Sequence, residues 1–287
     1  MNNKDSSNYI PFGQAGEPAK QTMASRFMRS KRHIVRRLLT FILLLVCAVL
    51  YFLIRDPSPS PKPLLPPSSE NVQRAIIMGK TRLDDVSWVY KFTPKWMPFI
   101  YTVDNEQGYA LHVPKNHGRE SMVYLTFIID HYHTLPDTML FLHSNRIHWH
   151  NDISKDFLSA DVISNVNTDL IETKGYMNLR CETKPGCPFS LHPFSPSAAD
   201  VRFNDVRSFF PEVYSHLFNV TRDEVPKELG AVCCAQFGVS RDRVRQRPLD
   251  DYIRMREWIL NTRVGSHAIG WVFEEVWHVI FGEDPVL

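Results

Sequence analysis

Four groups of side chains in this sequence could do chemistry. Near the C-terminus, Glu274 and Glu275 precede an apolar, aromatic stretch, Val276-Trp277-His278-Val279-Ile280-Phe281. A carboxylate held against such a stretch is partly desolvated, which raises its pKa toward the range useful for a general base. The bland alternative is a pair of solvated acids on an amphipathic helix. His148-Trp149-His150-Asn151-Asp152 places two imidazoles and a carboxylate at i, i+2 and i+4. In an extended segment all three point to one side, where they could bind zinc or manganese. His131 and His133 repeat the spacing on an expected helix, where they do not share a face. Lys80 and Arg119 are candidates for holding an anion such as a diphosphate. Asp104 suits hydrogen bonds to a ribose or base, and Arg119 could equally pair with Glu120.

These groups must be positioned by regular elements. Ala75–Met78 reads as a short apolar strand and Leu83–Tyr90 as a helix with Asp84 and Asp85 in its first turn. Phe99–Val103 reads as a second strand, ending at Asp104. Asn116 is placed to cap a helix from about His117 to His133, apolar almost all round and closed by Pro136. Thr138–Leu142 is a third strand. Such alternation, with near-continuous apolar strands, predicts an α/β fold with a mostly parallel sheet covered by helices on both faces. Ligands of such sheets sit beyond the carboxyl ends of the strands. Those ends are Gly79-Lys80-Thr81, Asp104-Asn105 and His143-Ser144-Asn145.

The 287 residues carry 33 Lys+Arg against 31 Asp+Glu, a formal net charge of +2, which gives no general reason to expect nucleic acid. The charge is unevenly placed. Residues 1–37 hold Lys4, Lys20, Arg26, Arg29, Lys31, Arg32, Arg36 and Arg37 against Asp5 and Glu17 only. An uncharged apolar run, Leu38 to Ile54, follows at once. As a helix it is roughly 26 Å long, near the minimum for a bilayer crossing. A 37-residue lead-in and a bulky exit argue against a cleaved signal peptide. The basic flank places the N-terminus in the cytoplasm and the rest of the chain in a lumen. Proline-rich residues 55–70 read as a semi-rigid stalk. The expected plan is therefore a disordered cytoplasmic tail (1–37), a transmembrane signal-anchor helix (38–54), the stalk, and a luminal α/β domain over 71–287. A short span suits the endoplasmic reticulum or Golgi.

Cys47 falls in the apolar run. The other four cysteines, Cys181, Cys187, Cys233 and Cys234, fall in the luminal region and predict two disulfides. Pairing between the two segments is favoured over a Cys233–Cys234 bridge, which would be strained. No thiolate zinc spacing occurs. Asn219-Val220-Thr221 is the single glycosylation sequon.

The segments NHGRESMVYLTFIIDHYHTLPDTMLFLHS, NLRC, PGCP, CCAQFGVSRDRV and EEVWHVIFG resemble the fungal family known as domain of unknown function 3431. The resemblance covers about residues 73–283. More distantly, the chain resembles GT-A-type glycosyltransferases. That resemblance implies a nucleotide-sugar donor held with Mn or Mg, and a sugar passed to a glycan or protein acceptor. On it, Lys80, Asp104, Asn116, Arg119 and Glu120 would bind substrate, and Glu275 or Glu274 would be the catalytic base. His278 would be the C-terminal metal ligand. The GT-A family's D-x-D metal motif is absent; His143-Ser144-Asn145 stands in its place, with His143 the other metal candidate.

Three function classes follow. The first is a luminal glycosyltransferase. The second is a non-catalytic glycan-binding or scaffold protein with a degenerate transferase fold. The third is a metal-dependent hydrolase using the histidines. The topology is checked by protease protection in sealed microsomes, which should spare residues 55–287 and remove an N-terminal tag. The reverse pattern would invert the assignment.

Overall fold

The computed structural model describes residues 36–47, 49, 72–180, 182, 184 and 191–287. The chain divides into two compact units, Met1–Pro59 and Ser60–Leu287. In the first, residues 36–47 are helical with exposed side chains. Residues 48 and 50–54 of the expected span, and the whole stalk, lie outside the described residues. Among the described residues no helix is long and apolar enough to cross a membrane.

The second unit is built on one six-stranded sheet. In chain order the strands are β1 (Arg74–Lys80), β2 (Met97–Thr102), β3 (Leu111–His112), β4 (Thr138–Phe141), β5 (Tyr176–Asn178) and β6 (Phe237–Ser240). Their spatial order is β3-β2-β1-β4-β6-β5. β3, β2, β1 and β4 pair in parallel, with Ile77 level with both Phe99 and Phe141. β6 is reversed and pairs antiparallel with β4 and β5, with Phe141 opposite Phe237. The sheet is thus mostly parallel, as expected, with the single exception of β6. An apolar strand covered on both faces carries no sequence mark of its direction.

Side chains alternate between two cores. Ala75, Ile77, Phe99, Met139, Phe141, Phe237 and Val239 join α1 (Glu120–His131), α5 (Phe210–Phe218), α7 (Leu249–Asn261) and α8 (Ser266–Ile280) on one face. Ile76, Met78, Ile100, Leu140 and Leu142 pack on the other against a 3-10 turn (Ser87–Phe92), α2 (Ser159–Asn165) and α3 (Thr168–Lys174). Two short helices, α4 (Ala198–Arg202) and α6 (Arg241–Arg245), complete the set. Ser121 to Ile128 of α1 are buried without interruption, as the absence of a polar face predicts. Each large apolar side chain so buried contributes about 1.5–3 kcal/mol.

Three expectations for local structure need correction. Leu83–Tyr90 is not a helix. Thr81 turns the chain by donating its N–H and hydroxyl to Asp84, and only the 3-10 turn follows. α1 begins at Glu120 rather than His117, so Asn116 does not cap it. Gly118 (φ +83°) and Arg119 (φ +52°) are both left-handed, and the Gly118 N–H goes to the Ser266 hydroxyl at 2.8 Å. Third, Cys233 is bonded to its neighbour Cys234, not to a distant segment. Cys181 and Cys187 lie outside the described residues.

Gly118 is the tightest of these points. A Cβ there would sit 2.9 Å from methyl carbons of both Ile259 and Ile269, on a backbone that disfavours L side chains. Gly118→Ala should therefore lower unfolding free energy by about 1–3 kcal/mol, measured by denaturant melting. An unchanged midpoint would show that α1, α7 and α8 are not locked there.

Candidate functional site

A continuous cleft lies beyond the carboxyl ends of β1, β2 and β4. It comprises two cavities, of about 430 Å³ and 240 Å³, that share Arg119, Glu120 and Asn145 as walls. This is where a parallel sheet with covered faces presents its loops and the start of its crossover helix. The start of α1 faces the cleft, with the exposed Arg119 and the half-buried Glu120 as its first side chains there.

The smaller cavity is lined by Lys80, Thr81, Asp84, Asn116 and Arg119. Lys80 is buried, paired to Glu106, and its ammonium lies 4.6 Å from the centre of the Tyr109 ring. Arg119 makes no ion pair among the described residues and packs along Gly270, where a Cβ would come 3.0 Å from its Cδ. Asp104 is not brought to the cavity. Its carboxylate accepts the Arg82 N–H at 2.9 Å and ties the β1 exit to the β2 exit.

The larger cavity is lined by Glu120, His143, His148, Trp149, His150, His267, Trp271 and Glu274. His143 leaves the end of β4 and is held on three sides. Its Nδ1 is 2.9 Å from a Glu120 oxygen, its Nε2 is 3.1 Å from the Cys234 carbonyl, and its backbone N–H donates to Gln236 Oε1 at 3.2 Å. The reversed direction of β6 causes this. The residues preceding β6, Cys234 to Gln236, arrive beside the residues that follow β4.

His148 and His150 come back over His143 on the loop after β4. The ring nitrogens of His143 and His150 approach to 3.0 Å, and the His148 ring stacks on His143 with centroids 4.7 Å apart. Buried polar groups fix this loop. Gln236 donates to Asn151, Asn151 donates to Ser159, and Ser159 donates to the Asn145 carbonyl, at 3.0, 2.9 and 2.6 Å. Every link is satisfied, so burial of these polar groups is not penalised. Asp152, expected beside the two histidines, turns away instead. It forms a 2.9 Å ion pair with Arg180, with side chains only 10% and 6% exposed. Among the described residues His143 takes its place in the cluster.

Glu274 faces the cavity from α8 and accepts the Cys234 N–H at 2.6 Å. Burial raises its pKa; the Cys234 N–H and the charge of His143 pull the other way without cancelling the rise. Glu275, one residue further round the helix, does not line either cavity. His278 is buried and its Nε2 lies 3.1 Å from the Pro285 carbonyl. It ties α8 to the C-terminal segment and is not a metal ligand of this site. The metal candidates from sequence thus reduce to His143, joined by His148 and His150. Asn219 is exposed at the end of α5 in a left-handed conformation.

Sequence reasoning missed Gln236, Asn151, Ser159, Trp271 and His267. The first three are polar residues beside apolar or strand-forming segments, a weak signal that becomes meaningful only once they meet. Trp149 and Trp271 supply aromatic walls, each with an arginine on its ring: Arg180 at 5.1 Å and Arg207 at 4.2 Å from the centroids.

Fold and site together define an α/β domain with a polar cleft at the sheet's carboxyl edge. A family model described as "Protein of unknown function (DUF3431)" matches residues 76–287, and the chain belongs to that family. No curated protein and no solved structure matches the chain.

The electrostatics give a pH signature. Burial, then the charge of His143, lowers His148 to about 4 and His150 to about 3. Both imidazoles are therefore neutral in the folded state at neutral pH, while the unfolded chain takes up protons near pH 6.5. Stability is then full above about 6.5 and falls as pH drops toward the folded values. Glu120 differs. Burial would raise it, but the hydrogen bond and charge of His143 hold it at about 2. Its contribution is present above about 4.3 and is lost only as pH falls toward 2. In chelator-treated protein, melting temperature should decline from pH 6.5 to 4. The decline should be shallower in His148→Gln/His150→Gln. An equal slope in that double variant would mean the histidines are solvated.

Proposed function

We propose that the folded domain is a luminal glycosyltransferase, passing a sugar from a nucleotide-sugar donor to a glycan or protein acceptor. The observation that carries this reading is the two-part cleft. Its smaller part offers the start of α1 and the Arg119 guanidinium, groups suited to a diphosphate, with Lys80 in its wall. Its larger part offers aromatic walls suited to sugar faces and Glu274, a carboxylate with a raised pKa suited to taking a proton from a hydroxyl. Glu274 replaces Glu275 as the proposed base because it alone of the pair lines the cleft. Glu120 is better read as the partner of His143 than as a substrate contact.

The same reading includes a single-pass type II membrane protein of the Golgi or endoplasmic reticulum, anchored by residues 38–54. The stalk would let the domain sweep luminal acceptors. The exposed sequon at Asn219 is compatible with glycosylation there. A divalent cation, when bound, would supply positive charge for the departing diphosphate. The donor set at the cleft fits a cation through imidazoles, since neither acid of a D-x-D motif is present. A second reading, a metal-dependent hydrolase, draws on that same imidazole cluster.

Nucleoside diphosphates should raise the melting temperature of the full chain, and Arg119→Ala should abolish the shift. Glu274→Gln keeps an oxygen to accept the Cys234 N–H, so it should cost no more than about 1.5 kcal/mol of stability. It should slow transfer by about 10²–10⁴-fold. Glu275→Gln serves as the comparison. Equal losses in the two variants would take the role away from Glu274. No shift with any nucleoside diphosphate would remove the transferase reading.

A further inference from the structure

We propose that His143, His148 and His150 form a binding site for one divalent first-row transition cation of the zinc class, with a coordination position open to the larger cavity. The inference rests on the imidazole geometry and not on which group the domain transfers. One ring nitrogen from each histidine lies within 4.8 Å of the others. Tetrahedral zinc at about 2.0–2.1 Å from each nitrogen puts ligand nitrogens roughly 3.4 Å apart. His143 Nε2 and His150 Nδ1 are already at 3.0 Å, so only the His148 ring has to close in.

The surroundings separate this cluster from a chance meeting of histidines. Glu120 sits 2.9 Å from His143 Nδ1. A carboxylate only accepts, so Glu120 fixes a proton on Nδ1; Nε2 lies between the Cys234 carbonyl at 3.1 Å and His150 Nδ1 at 3.0 Å, and a bound cation would take the place of the proton there. This carboxylate–histidine arrangement is the one that orients ligating imidazoles in metal sites. The loop carrying His148 and His150 is pinned by the Gln236–Asn151–Ser159 chain, and Asp152 is drawn away to Arg180. The site thus offers three imidazole nitrogens and no carboxylate ligand. That donor set suits Zn²⁺ or Co²⁺, whereas Mg²⁺ prefers oxygen. Three protein ligands leave a fourth position, and the histidines line the cavity into which it would open. A rival cluster, Cys233, Cys234 and Glu274, is weaker because its two sulfurs are bonded to each other.

The test uses the full chain in detergent, stripped with chelator and titrated with Co²⁺ alone. The expected result is one Co²⁺ per chain by equilibrium dialysis, with visible d–d absorption. Zn²⁺ should displace it and excess Mg²⁺ should not. Glu120→Gln should weaken binding about 10–100-fold. His148→Ala and His150→Ala should weaken it more, each judged only where the metal-free variant keeps a cooperative melt; His→Gln at the same position is the substitute where it does not. Three results would overturn the site. One is no bound Co²⁺ or Zn²⁺. Another is binding that survives both histidine variants. The third is binding lost in Glu274→Gln but kept in them, which would move the ion to the rival cluster. None of these readouts needs a nucleotide or an acceptor, so the outcome stands apart from that of the transferase reading.

Discussion

The site depends on the antiparallel pairing of β6 against β4. Parallel strands alone would bring only their own carboxyl ends and one helix start to the cleft. Reversing one strand delivers the segment that precedes it to the same edge. Cys234 and Gln236 thereby meet His143, and the Cys234 N–H meets Glu274. Both halves of the larger cavity are referenced to this short stretch of backbone. The stretch leads into β6, which is anchored in one core by Phe237 and Val239, both fully buried.

A second constraint is charge placed in a part-buried cleft. Glu120 and Glu274 both border the larger cavity, yet burial and neighbours push their pKa values apart. Glu120 is held low by His143, and Glu274 is raised by burial. Two carboxyl groups with opposed tendencies in one site imply different roles. Glu120 is fitted to hold an imidazole, and Glu274 to exchange a proton. His148 and His150 remain neutral beside them, so the cavity has nitrogen lone pairs to offer rather than extra positive charge.

The smaller cavity has a different character. Lys80 is nearly enclosed and neutralised by Glu106, so it shapes the wall more than it attracts an anion. Arg119, held in a left-handed turn after Gly118, is the cation that remains exposed to the cleft. The close packing of Gly118 on Ile259 and Ile269 couples that turn to α7 and α8. The helix carrying Glu274 and the turn carrying Arg119 are therefore positioned by one contact, although they belong to distant parts of the chain.

What the sequence determined by itself follows from local periodicity. Continuous apolar runs at 75–78, 99–103 and 138–142 became β1, β2 and β4. The buried α1 followed from a helix without a polar face, and the cleft followed from the rule that ligands sit at carboxyl ends. Lys80, Arg119 and His143 lay at expected strand or helix ends and were legible as cleft residues on that basis, whereas Asn116, Glu120 and the pair Glu274 and Glu275 entered through their chemistry and the family resemblance. Tertiary structure decided the rest, because the deciding contacts join residues far apart in the chain. No local pattern states that β6 runs backwards, that Asp152 prefers Arg180 to the histidines, or that His278 belongs to the core while Glu274 belongs to the cleft. Glu274 and Glu275 differ by one helical step of about 100°, and only the packing of α8 on the sheet decides which of them faces the cavity.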